Sequence, residues 1–96
     1  MINAKEAKKN VYNYQEKQFL ETEKTVNEII EIMSDSIEYH SKNGFSEISF
    51  CPYNESRFSS NEMKDIASSI FQTILVSNGY EIITNNWRTN VLKIRW

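Results

Sequence analysis

Length is the constraint that most limits what this chain can fold into. A helical spacing of residues runs almost unbroken from Ala4 to Ser41 in a chain of 96 residues. At about 1.5 Å per residue such a helix spans roughly 57 Å. A compact globule of this size has a radius of gyration of only about 12–13 Å. Part of the helix must therefore project, bend or find a partner. Self-association or partner binding follows more naturally than a self-contained monomer.

The helix is uneven along its length. Asn3 suits the cap position, with Glu6 three residues on. Ala4, Ala7, Val11 and Tyr14 then recur at spacings of three and four. From Gln15 to Thr25 the only large apolar residues are Phe19 and Leu20, before the stripe returns as Val26, Ile29, Ile30, Met33 and Ile37. The second half reads as a core-facing helix. Residues 1–25 read as a helical extension used in oligomer contacts, continuous or bent near residues 20–24, and residues 26–96 as the compact core of the same single domain. Gly44 suits the left-handed position that ends a helix.

Downstream, Ser46 to Tyr53 alternates as a strand, with Ile48 and Phe50 on one face and Pro52 closing it. Asn54 to Phe58 is a polar turn. Ser59 caps a second helix and Glu62 completes a Ser-x-x-Glu box. Met63, Ile66, Ala67, Ile70, Phe71, Ile74 and Leu75 give that helix a wide apolar stripe, and Asn78-Gly79 stops it. Tyr80 to Ile83 reads as a short strand, Thr84 to Thr89 as a loop, and Asn90 to Trp96 as a last strand whose Lys93 and Arg95 face water. The expected architecture is α+β: a long N-terminal helix, then strand, helix, strand and strand, with the helices on one face of a small three-stranded sheet.

Charge narrows the function classes. The net charge of −2 argues against a general nucleic-acid binder. Its distribution says more. Between Glu16 and Glu38 stand seven acids (Glu16, Glu21, Glu23, Glu28, Glu31, Asp35, Glu38) against Lys17 and Lys24, while no acidic side chain follows Glu81. An acidic helix and a basic tail can attract each other within or between subunits. Cys51 is alone, so an internal disulfide is impossible and a reducing compartment fits. No run approaches the roughly 18 apolar residues of a membrane span, and the Met-Ile-Asn-Ala-Lys start lacks an apolar signal region. The expected location is the cytoplasm.

Nothing points to catalysis. There is no Gly-rich phosphate loop, nucleophile elbow, histidine pair or Cys-x-x-Cys. His40 falls in the last helical turn, where a cation complements the dipole, and Cys51 reads as a small buried apolar residue. Glu28, Glu31 and Asp35 lack the Glu-x-x-His partners of a di-metal site. No enzyme activity, metal or cofactor is expected. Two segments carry binding chemistry instead. Tyr53, Arg57, Ser59 and Ser60 bring a ring, a guanidinium and hydroxyls to a helix amino terminus, a setting for phosphate or carboxylate. In the loop Asn85 to Asn90, Trp87 and Arg88 join Asn86 and two further asparagines, the parts of a base-plus-phosphate or partner surface. The bland reading makes Ser59 a cap, Arg57 a loop residue and Trp87 a cover for the sheet edge.

The stretch Asn78-Gly79-Tyr80-Glu81-Ile82-Ile83, the closing Leu92-Lys93-Ile94-Arg95-Trp96 and the opening Ile-Asn-Ala-Lys-Glu-Ala resemble small uncharacterised accessory proteins of tailed phages. The resemblance implies a host-cell setting and, for some such proteins, inhibition of a host defence. It makes the expected function non-enzymatic: sequestering a small anionic, nucleotide-derived signal. Trp87 and Tyr53 would stack on the base, and Arg57, Arg88 and Arg95 would meet phosphates at a site completed by homo-oligomerisation. Two alternatives stand beside it: a host-protein inhibitor using the acidic helix surface, and a structural or assembly component.

Overall fold

A computed structural model describes all 96 residues. The first helix, α1 (Ala4–Lys42), is continuous, so the bend considered near residues 20–24 does not occur. Asn3 caps it by accepting the Glu6 amide at 2.9 Å. Gly44, with φ +87°, turns the chain out of it. The molecule measures 63 × 23 × 19 Å with a radius of gyration of 16.4 Å. That exceeds the compact value of about 12–13 Å because the amino-terminal part of α1 extends past everything else. Burial along α1 starts at Thr22 rather than Val26 and continues through Thr25, Val26, Met33 and Ile37. Both threonines turn their hydroxyls onto the helix's own carbonyls, Gln18 and Glu21, which satisfies them without a distant partner.

The remaining elements are β1 (Glu47–Phe50), a short 3-10 turn (Pro52–Asn54), α2 (Asn61–Ser77), β2 (Glu81–Asn86) and β3 (Val91–Arg95). The sheet is antiparallel in the order β1-β3-β2. Two expectations are corrected. β1 ends before Pro52, so Tyr53 sits in the 3-10 turn, where proline's fixed φ suits the first position. β2 continues through Thr84, Asn85 and Asn86, which had read as loop. Its pairing passes from Ile82↔Ile94 to Thr84↔Lys93, leaving Ile83 as a bulge. The extra residue reverses the alternation downstream, so polar Asn85 joins the inner face opposite Leu92.

The core joins both helices to the inner face of the sheet through Val26, Met33, Ile37, Tyr53, Phe58, Ala67, Phe71, Leu75, Leu92 and Ile94. The outer face carries a row of charges: Arg95 makes two 2.7 Å bonds to Glu81, and Lys93 meets Glu47 at 3.2 Å. The architecture is α+β, as the residue pattern predicts. α1 and α2 run in the same direction. Gln18 meets Ser60 at the start of α2, at 3.3 Å, and Ile30, Met33 and Ile37 share a pocket with Ile74 and Leu75 near its end. No helix is long and apolar enough to cross a membrane.

Candidate functional site

The residues expected to bind an anion fall into three separate places. Tyr53 is completely buried, with its ring edge-to-face against Phe71 at 5.7 Å. Its hydroxyl donates to Asn85 Oδ1, and its backbone N–H donates to Asn90 Oδ1 at 2.7 Å. Burial pushes its phenol above the usual range. A ring so enclosed is core, not a stacking platform.

Arg57 lies on the surface beside the start of α2. Its Nε and Nη2 donate to Glu55 at 3.2 and 3.3 Å, and its Nη1 meets Glu28 of α1. Hydrogen bonds to Glu55 and then Glu28 raise the guanidinium pKa, and the same contact lowers that of Glu55. Two carboxylates already occupy the donors that a phosphate would need. Ser60, not Ser59, caps α2: its Oγ accepts the Met63 amide at 3.1 Å. The expected Ser59–Glu62 box is displaced by one residue, which seats Met63, Ala67, Phe71 and Leu75 in the core. Ser59 donates instead to the Met63 sulfur at 3.4 Å. Arg95 is likewise committed, to Glu81.

Trp87 opens the four-residue turn between β2 and β3. It is half-buried, packs on the core, and its indole N–H donates to Asp65 of α2. The Arg88 guanidinium lies 5.4 Å from the ring centroid and Lys64 Nζ lies 5.8 Å away. Neither cation makes a salt bridge, unlike Arg57, Lys93 and Arg95. Asn86 accepts the Arg88 amide at 3.0 Å, which shapes the turn. Trp87, Arg88 and Asn86 are therefore together; Tyr53, Arg57, Ser59, Ser60 and Arg95 are not with them. Cys51, expected to be buried, is exposed. His40 Nδ1 donates within its own helix to the Ser36 carbonyl at 2.7 Å.

The largest concave surface lies elsewhere, in the corner between the projecting part of α1 and the start of α2. Val11, Tyr14, Gln15 and Phe19 on one side face Glu62, Asp65 and Ile66 on the other, around a groove of about 750 Å³. A second apolar groove of about 410 Å³ continues from Phe19 and Ile66 past Ile70 to Ile74. Its signal was present in the spacing of four between Ile66, Ile70 and Ile74. These form a line beside the buried Met63–Ala67–Phe71–Leu75 line, and a stripe that wide covers two surfaces.

No family model matches this chain, and neither a curated protein nor a solved structure is similar to it.

Proposed function

We propose that the chain is a non-enzymatic binding protein that acts by docking its projecting first helix against another polypeptide. One observation carries the reading. Val11, Tyr12, Tyr14, Phe19 and Leu20 are 44–66% exposed on a stretch of α1 that buries almost nothing within its own chain. A helix without tertiary cover is marginal in water, and most helical stability in proteins comes from packing an apolar face. Exposed aromatics clustered on one element are the usual anchors of protein interfaces. The resemblance to phage accessory proteins would make the assembly an inhibitor of a host process.

The reading is tested by placing a photo-crosslinking amino acid at Tyr12 and, as a control, at Ser49 on the outer sheet face. Covalent adducts to protein at Tyr12 and none at Ser49 are expected. Absence of adducts at Tyr12 sinks the proposal.

A second reading rests on the two unpaired cations beside Trp87. Arg88 and Lys64 would receive the phosphate of a nucleotide-derived ligand whose base lies on the indole. Titrating cyclic and linear nucleotides against the fluorescence of a Trp96→Phe variant, which leaves Trp87 as sole reporter, decides it. Saturable quenching that disappears in Arg88→Ala supports the reading, and a flat response removes it.

A further inference from the structure

We infer that the polypeptide seated in the corner groove is a second copy of this chain, with two α1 helices crossing antiparallel about a two-fold axis near Gln15. The inference rests on the docking role proposed for α1 and names its partner. Three observations carry it.

The first is self-complementarity of shape. The projecting segment before Gln18 is about 25 Å long and ends at the start of α2, where the groove begins. An antiparallel mate centred near Gln15 lays its own Val11 and Tyr12 against Phe19. Its Ala7, Ala4 and Ile2 then continue over Ile66 and Ile70. Each subunit supplies both projection and groove, the isologous arrangement that closes as a dimer.

The second is charge. Residues 1–15 hold Lys5, Lys8 and Lys9 against Glu6 alone. None of these three lysines makes an ion pair within the chain. The groove that the mate would cover carries Glu62 and Asp65, and Glu23 lies one turn along α1 from Phe19. A parallel pairing would instead set lysines on lysines and acids on acids.

The third is the stripe itself. Ala7, Val11 and Tyr14 keep the phase of Gln18, which meets α2, and of the buried Thr22 and Val26, so the face that α2 covers from Gln18 onward continues without cover before it. The same face in a second copy has the same need.

Native mass spectrometry at micromolar concentration should give a dimer. Val11→Asp should abolish it while leaving the urea midpoint of the core, measured as a monomer, unchanged, because Val11 has no role in the core. Lys5→Glu with Lys8→Glu should raise the dissociation constant about three- to tenfold, and adding Glu23→Lys should recover most of that loss. In a Cys51→Ser background, Gln15→Cys should form a disulfide-linked dimer on mild oxidation, and Glu38→Cys should not. A monomeric wild-type chain overturns the inference, as does a dimer indifferent to Val11→Asp. If Tyr12 crosslinks to a different protein while the chain is monomeric, docking by α1 stands and self-pairing alone falls. If Tyr12 yields no adduct and the chain is monomeric, both fall.

Discussion

The hydroxyl of Tyr53 donates to the side-chain oxygen of Asn85 inside the fold, joining a 3-10 turn to the second strand across 32 residues of sequence. Asn85 completes its own bonding by donating to the Ser68 carbonyl of α2 at 3.2 Å. One asparagine thus links turn, strand and helix, and it faces inward only because Ile83 bulges out of the ladder. Removing one partner of a buried hydrogen bond leaves the other unsatisfied, at a cost of about 1–3 kcal/mol. Tyr53→Phe should lower stability by that amount in urea denaturation, with the slope unchanged. A neutral effect would mean that water reaches Asn85.

The burial of the same phenol makes stability respond to alkaline pH. Burial pushes the Tyr53 phenol above its ordinary 10.0. The folded state therefore holds the proton more tightly than the unfolded chain. Its contribution is complete below pH 10 and is lost as pH rises through the folded value. Melting temperatures should fall above pH 10 in the wild type and fall less steeply in Tyr53→Phe. Parallel profiles would remove Tyr53 as the cause.

On the acid side the outer face of the sheet responds in the opposite sense. Arg95 holds the Glu81 carboxyl below the ordinary 4.5. That stabilisation is present above 4.5 and is lost as pH falls through the folded value of Glu81. Both groups are solvent-exposed, so the effect is small and screened by salt. Comparing wild type with Glu81→Gln in acid titrations at low and high salt should show the difference at low salt only.

What the residues disclosed, and what they hid, follows from where the determining physics lies. The second helix and last strand were legible because their signals are periodic: Met63, Ala67, Phe71 and Leu75 repeat every four residues, and Leu92 and Ile94 every two. The length of α1 announced its projection. The second half of β2 was hidden because Thr84 leads into Asn85 and Asn86, which are turn formers by preference. Their pairing with Lys93, Leu92 and Val91 comes from the partner strand. Adjacent Ser59 and Ser60 are equally good caps by type, and only the core's demand for Met63 selects between them. The binding reading suffered most, because residues far apart in sequence decide it. Arg57 looks free until Glu28, 29 positions earlier, is brought beside it. Tyr53 looks available until Phe71 closes over its ring.

The cap assignment gives two substitutions with different outcomes. Ser60 accepts the Met63 amide and Gln18 donates to its Oγ, so Ser60→Ala loses both bonds. Losing an N-cap costs about 1 kcal/mol. Ser59 makes only a weak contact with a sulfur, and Ser59→Ala should change stability by less than about 0.5 kcal/mol. Equilibrium unfolding of the two single variants settles which serine caps. A larger loss at Ser59 would restore the box with Glu62.

Deleting residues 1–16 separates the two roles of α1 most directly. The removed segment contributes no buried residue, and burial begins at Thr22. The contacts of Gln18 with Ser60 and of Val26, Met33 and Ile37 with the core all remain. A shortened chain should therefore unfold cooperatively, with a midpoint in urea close to that of the full chain measured as a monomer. What it should lose is association. Mass action ties the stability of a dimer to its concentration, so the full chain's melting temperature should rise with protein concentration and the shortened chain's should not. A shortened chain that fails to fold would show that the projection stabilises its own subunit. The exposed apolar residues of α1 would then serve the fold rather than a partner.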